Sequence, residues 1–150
     1  MEIRNAKISD VAGIHEIVNY YAGLDRMLFR SMADIYENLQ TFIVAAIDGK
    51  VVGCCSLEVI WADLAEIKSL AVDGKHQMDG IGIKIVEAAV KKASEIGVLK
   101  VFALTLVPGF FVKAGFEIVE KDTLPMKVWS DCARCSKQQN CDEIAVIKRV

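Results

Sequence analysis

The stretch Leu64-Ala65-Glu66-Ile67-Lys68-Ser69-Leu70-Ala71-Val72 reads as a strand, yet it carries a carboxylate and an ammonium in its middle. Directly after it come Gln77-x-x-Gly80-x-Gly82 and then Ile85, Val86, Ala89, Val90, Ala93 and Ile96, which recur at helical spacing up to Gly97. Strand, glycine loop and helix in that order predict a βαβ unit embedded in a mixed sheet, because residues 101–105 supply a further strand. Glycines at a strand-to-helix turn let successive N–H groups aim at an anion, and a pyrophosphate is the natural guest. The plainer alternative is a tight turn with no ligand. Two nucleotide fingerprints are excluded: Gly80-Ile81-Gly82 is followed by Ile83-Lys84-Ile85 without a third glycine, and no Gly-Lys-Ser/Thr follows at phosphate-loop spacing.

Around this unit the chain alternates helix and strand signals. A short strand spans residues 2–5, and Ser9 and Asp10 offer cap chemistry ahead of the stripe Val11, Ile14, Ile17, Val18 and Tyr21, which Gly23 stops. Ser31 is a second cap, for a short helix burying Ile35 and Leu39. Residues 42–47, Asp48-Gly49 and residues 51–57 predict a hairpin with a type I′ turn, and Trp61 to Asp63 link it to the charged strand. Beyond Thr105, residues 110–114 form helical turns closed by Gly115, residues 116–119 a strand, and residues 144–147 a final strand.

A chain of 150 residues with 53% hydrophobic and 25% charged residues builds one domain with a substantial core, expected here over residues 1–150, with a cysteine-containing loop at 130–142. The net charge of −2 argues against nucleic acid or anionic lipid as a partner. The longest apolar run, near residues 101–112, is broken by Thr105, Pro108 and Gly109, so no membrane span is expected. Five cysteines, an odd number, fit reduced thiols and a cytoplasmic setting. Cys132-x-x-Cys135 followed by Cys141 opens like a zinc site but lacks a fourth cysteine or histidine. Reduced thiols or a Cys132/Cys135 redox pair are simpler, and no metal is expected. Cys54 and Cys55 sit in a strand as small apolar residues, and His15 and His76 read as surface residues, His76 being close enough in sequence to approach a phosphate.

Leu70-Ala71-Val72, Gln77-x-x-Gly80-x-Gly82 with its helix, and Phe110-Phe111-Val112-Lys113-Ala114-Gly115-Phe116 resemble the acetyl-CoA signature and closing elements of the GNAT superfamily of N-acetyltransferases, over nearly the whole chain. The resemblance implies the GNAT acyl-CoA N-acyltransferase fold, a mixed α/β (α+β) domain whose central mixed, largely antiparallel sheet is flanked by helices. More narrowly, Leu28-Phe29-Arg30-Ser31, the strand from Leu64 to Val72, Phe102-Ala103-Leu104-Thr105 and Leu124-Pro125-Met126-Lys127 resemble the acetyltransferase domain of N-acetylglutamate synthases. That likeness implies transfer of acetyl from acetyl-CoA to the α-amino group of glutamate, the entry to arginine biosynthesis, by a short form without the kinase-like domain of longer synthases.

The resemblance also assigns roles. Leu70, Ala71 and Val72 would pair with the pantetheine arm of acetyl-CoA, while Gln77, Met78, Asp79, Gly80, Ile81, Gly82 and Ile83 would meet its diphosphate and Phe111 would pack against it. Asp79 departs from a position that is often basic, and Lys75 or Lys84 would offset its charge. Glu66 would accept the amine's proton, its plainer alternative being a partner for Lys68, and the Leu70 N–H would serve the carbonyl oxygen. Phe110 and Phe111 stand where the superfamily commonly has a tyrosine, so the thiolate would take its proton from solvent or the substrate ammonium, or leave as an anion. Arg30, Lys68, Ser69 and Lys127 would bind the amino acid's carboxylates, Arg30 through two parallel hydrogen bonds. The expected partner is therefore a small amino acid, attacked directly in a ternary complex, and a sheet edge or the tail offers a route to a homodimer. Rival readings are a GNAT enzyme for another small amine or a protein amino group, and a non-catalytic acyl-CoA sensor.

Overall fold

The computed structural model describes residues 1–124 and 143–150. Lys127, Cys132, Cys135 and Cys141 lie outside the described residues. Among the described residues seven strands form one sheet: β1 (Glu2–Asn5), β2 (Phe42–Ile47), β3 (Lys50–Trp61), β4 (Leu64–Val72), β5 (Lys100–Thr105), β6 (Glu117–Val119) and β7 (Ile144–Arg149), in spatial order β1-β2-β3-β4-β5-β7-β6. Among the described residues only β4 and β5 run parallel, because the helix α3 (Ile81–Glu95) carries the chain back over the sheet between them. The other pairings are antiparallel.

Each sheet face buries one helical layer. Ile81, Ile85, Val86, Ala89 and Ala93 of α3 pack on Ile43, Ala65, Ile67 and Val101. On the opposite face α1 (Val11–Ala22) and α2 (Met32–Glu37) bury Val11, Ile14, Val18 and Ile35 against Phe42, Val44, Val51 and Ala71. Asp48 and Gly49 both take positive φ (51° and 78°), the geometry of a type I′ turn joining β2 and β3. The Ser31 hydroxyl caps α2 by accepting from the Asp34 N–H at 3.0 Å.

Three local expectations change. The hairpin strand runs on to Trp61, because β4 turns back at once and pairs Leu64 with Trp61, which leaves Ala62 and Asp63 as the link. Leu39 falls beyond α2, in a single 3-10 turn (Leu39–Thr41), yet still packs on the α1 layer. Asp10 does not cap α1 with its side chain. Its buried carboxylate accepts instead from the Lys7 N–H at 2.7 Å and from both terminal nitrogens of Arg4 at 2.7 and 3.1 Å, pinning β1 to the start of α1.

The Arg4 hydrogen bond holds the Asp10 carboxyl below its ordinary pKa against the opposing effect of burial. A depressed folded-state pKa stabilises the fold fully above the unfolded value, about pH 4, and that contribution disappears as pH falls through the folded value. Thermal unfolding followed from pH 6 to pH 2 should therefore show an acid-induced fall in Tm that is shallower in Asp10→Asn, whose side chain does not titrate.

Candidate active site

The sheet opens where β4 and β5 part. Their parallel pairing covers Leu64, Ala65 and Glu66 against Lys100, Val101 and Phe102, and stops there. Beyond Glu66 the two strands line opposite walls of a cleft: Ile67 to Val72 on one side, Ala103 to Thr105 on the other. Backbone groups on an unpaired strand edge want partners, so an extended ligand entering here could complete the ladder.

A β-bulge shapes the β4 wall. Cys54 pairs with Ala71 and Ser56 with Lys68, so Cys55 alone faces both Ser69 and Leu70. Ser69 takes φ +54°, uncommon for a residue with a side chain. The extra residue shifts the side-chain alternation by one: Ala65 and Ile67 belong to the α3 core, but after the bulge Leu70 and Val72 do, while Ala71 joins the α1 layer. Lys68 and Ser69 thereby both reach the α1–α2 side. Behind the bulge the fully buried Cys54 thiol donates to the Ser69 carbonyl at 3.6 Å. Burial pushes that thiol up to about 12, so it is a neutral donor and no nucleophile.

One end of the cleft is a charged network. Arg30, 8% exposed, donates from Nε to Asp34 at 2.8 Å and from Nη1 to Glu58 at 3.1 Å and to the Ser69 hydroxyl at 3.2 Å. Its guanidinium also lies 5.0 Å from the centre of the Phe42 ring. Burial pulls the Arg30 pKa down, but Asp34 and Glu58 outweigh it and the net shift is upward. The backbone of Arg30 is gripped by the Asn19 side chain, which accepts from its N–H at 3.0 Å and donates to its carbonyl at 2.8 Å. Nη2 makes no hydrogen bond among the described residues and is the edge left for a ligand. With Nε and Nη1 engaged, a bound carboxylate would meet Nη2 end-on, in place of the two parallel bonds expected from the sequence.

Glu66 is 6% exposed and lines the cleft at the fork. Lys68 Nζ stands 3.7 Å from Glu66 and 3.4 Å from Glu58, the residue directly opposite Glu66 on β3. Two facing carboxylates repel, and the ammonium between them offsets that repulsion. Glu58 also accepts from Ser56 at 2.8 Å, whose hydroxyl is 2.8 Å from that of Thr41. Sequence reasoning missed Glu58 and Asn19; once the hairpin register is known, Glu58 falls on the face of Glu66 and Lys68.

At the other end of the cleft, Gly80 takes φ +74° and opens α3. The first intrahelical bond runs from the Lys84 N–H to the Gly80 carbonyl, so the N–H groups of Ile81, Gly82 and Ile83 have no helical partner. Gly82 sits at a close approach: a Cβ there would lie 3.1 Å from the Phe110 ring, which would have to give by a few tenths of an ångström. That ring belongs to α4 (Pro108–Lys113), which thus abuts the first turn of α3. Ile81 is buried in the core, leaving only its backbone for a ligand, and Met78 is exposed. Asp79 is exposed and 3.1 Å from His76 Nδ1, turned to a partner rather than crowding the helix start. Phe111, expected against a ligand, is 3% exposed and packs edge-on between Phe110 and Phe116. Half-buried Phe110 is the ring with free surface. Phe111 and Val72 both line the cleft, and the Val72 carbonyl accepts from Tyr21 at 2.6 Å. Among the described residues no cluster of metal ligands forms, and no helix is long and apolar enough to cross a membrane.

A forked sheet with a bulged strand on one wall and a helix N-terminus at one end makes a cleft suited to an extended, anionic ligand. Residues 12–116 match the Acetyltransferase (GNAT) family, and the chain belongs to it. It is thus an acetyl-CoA-dependent N-acetyltransferase, with the expected mixed-sheet GNAT fold. An uncharacterised N-acetyltransferase of Chlorobaculum tepidum is 44% identical over 146 residues, covering 97% of this chain and 94% of that one. An amino-acid acetyltransferase of Mycobacterium tuberculosis is 37% identical over 135 residues, 88% of this chain and 77% of the relative. Among solved structures, Rv2747 from M. tuberculosis in complex with CoA and NLQ superposes with a TM-score of 0.87 at 31% identity, covering 100% of this chain and 99% of that one. N-acetylglutamate synthase from Neisseria gonorrhoeae complexed with coenzyme A and N-acetyl-glutamate gives 0.86 at 25% identity over 99% of this chain, which spans 34% of that protein.

Proposed function

We propose that the chain acetylates the α-amino group of a small amino acid, L-glutamate foremost, by direct attack within a ternary complex. The observation that carries this is the pairing, on one face of the fork, of the buried Glu66 carboxylate with an Arg30 whose Nη2 has no partner among the described residues. One group suits an ammonium and the other a carboxylate, the two ends of an amino acid. The relatives support it: one is named amino-acid acetyltransferase, and a structural neighbour was solved with N-acetyl-glutamate. In this reading residues 1–150 are one catalytic domain serving arginine biosynthesis in the cytoplasm.

Acetyl-CoA, when bound, supplies an activated thioester carbonyl. The residues present fit it: the glycine-opened start of α3 offers main-chain N–H groups for the diphosphate, and the edge of β4 offers backbone for the pantetheine arm. Glu66 takes the proton from the amino acid's ammonium, and Arg30, Lys68, Ser69 and Lys127 orient its carboxylates. Leu70, turned out of ladder register by the bulge, donates its N–H to the carbonyl oxygen as charge develops there. For the departing thiolate the structure offers a group that sequence reasoning passed over. Thr105, buried at the end of β5, accepts from the Val107 N–H at 2.9 Å, so its own hydroxyl hydrogen is left to donate into the cleft.

A thiol leaves readily, with a pKa near 8.5 for the cysteine analogue, so the far less acidic threonine hydroxyl steadies the departing thiolate by a hydrogen bond while the proton itself comes from solvent or the substrate ammonium. Thr105→Val should therefore lower kcat by roughly tenfold at most with acetyl-CoA affinity unchanged, the effect of one hydrogen bond, as measured by steady-state kinetics and calorimetry. The substrate assignment is tested by incubating purified enzyme and acetyl-CoA with single amino acids and following CoASH release. Release with glutamate is expected, and release only with some other amine would replace the assignment.

A further inference from the structure

We propose that Tyr21 is a positioning residue for acetyl-CoA, anchoring the diphosphate loop to the end of α1; the proposal rests on the reading that residues 77–83 hold the diphosphate. From the sequence Tyr21 is one more member of an apolar stripe, and it is indeed 8% exposed. Its hydroxyl nevertheless donates to the Val72 carbonyl at 2.6 Å and accepts from Gln77 Nε2, which lies 3.4 Å from the same carbonyl. The last residue of β4 and the loop leading to Gly80 are thus tied to one phenol. The Gln77 side chain is turned inward to this junction, which leaves main-chain N–H groups to face the diphosphate.

The carbonyl of Tyr21 serves the other half of the cleft. It accepts from the Leu24 N–H at 3.0 Å and the Arg26 N–H at 3.1 Å, which fold the loop that leads to Arg30. Tyr21 is thus bonded to the donor side through its side chain and to the acceptor side through its backbone. Substituting phenylalanine removes only the first link, because ring and main chain are retained. Burial raises the pKa of the Tyr21 hydroxyl, partly countered by Gln77, so it stays protonated and donating at neutral pH.

Calorimetric titration of acetyl-CoA into the full chain, without acceptor, provides the test. For Tyr21→Phe the Kd is expected to rise roughly five- to tenfold, because a loop no longer held in its binding form must be ordered when the ligand arrives. The KM for the amino acid and kcat should stay close to wild type, while Tm falls by only about 2–4 °C, the effect of one buried hydrogen bond on a chain of this size. Gln77→Leu, at an exposed position, should weaken acetyl-CoA similarly. The double variant should be no worse than either single one, since both break the same link. An unchanged Kd in Tyr21→Phe, a fully additive double variant, or a parallel decline of Tm, kcat and both substrate constants would each overturn the proposal. Failure of the underlying loop assignment looks different: Gly82→Val, which crowds the start of α3 itself, would then leave the acetyl-CoA Kd unchanged as well.

Discussion

Glu66→Gln is expected to lower kcat/KM for the amino acid by roughly 10²- to 10³-fold at neutral pH, within the range that positioned general bases contribute. The substitution keeps shape and hydrogen-bonding capacity but removes the group that can hold the proton of the attacking ammonium. Acetyl-CoA affinity should not change, because the diphosphate loop lies at the other end of the cleft. The diagnostic is the pH profile. As pH rises, solution hydroxide deprotonates the amine without help, so the variant should recover toward wild type, whereas a variant merely misfolded at the fork would be depressed at every pH. Neighbouring Lys68, 3.7 Å from Glu66, then faces one carboxylate fewer, so a modest change in Tm accompanies the kinetic effect.

Arg30→Ala should show the second large effect, on binding and on stability together. A hydrogen bond to a charged group is worth about 1.5–3 kcal/mol, so losing the Nη2 contact with a substrate carboxylate should cost roughly 10²-fold in kcat/KM for glutamate, carried mainly by KM. The same truncation takes the guanidinium from two carboxylates, of which Glu58 keeps Lys68 and Ser56 and Asp34 keeps Asn38. Breaking a buried pair costs about 3–5 kcal/mol, but the Asp34 side chain is 39% exposed and Glu58 21%, so water recovers part of that and about 2 kcal/mol is the reasonable expectation. For a chain of this size that corresponds to a fall in Tm of roughly 4–8 °C. Arg30→Lys keeps a charge but cannot hold Asp34, Glu58 and Ser69 from one planar group, so it should recover stability better than it recovers binding. Calorimetry for Tm and initial rates over glutamate concentration check both.

The unit from Leu64 to Gly97 is legible in the sequence because its signals agree: an apolar strand, turn glycines and a 3.6-residue stripe all specify one arrangement. The hairpin is legible for the same reason, Asp48-Gly49 being the dipeptide its turn requires. The bulge is not, because it is occupied by Ser69, and nothing in Lys68-Ser69-Leu70 distinguishes a serine at positive φ from one in a regular strand. With the bulge hidden, neither the shared face of Lys68 and Ser69 nor the thiol behind it can be inferred. Glu58 is illegible on different grounds: its importance comes from pairing with Glu66 and from Arg30, a contact across 28 positions of sequence that only the folded register creates. Tyr21 and Thr105 show a third limit, for a hydroxyl with a buried partner is indistinguishable from an ordinary core residue until the partner is seen.

The way Arg30 is held has a consequence for molecular measurement. A guanidinium fixed through Nε, Nη1, a ring face and its own backbone has little freedom to follow a ligand, so the gap between its remaining nitrogen and Glu66 is a preset gauge. On the proposed reading, homologous amino acids would be sorted by span as well as by sign: one methylene too few would leave an end ungrasped, and one too many would drive the nucleophile past its mark.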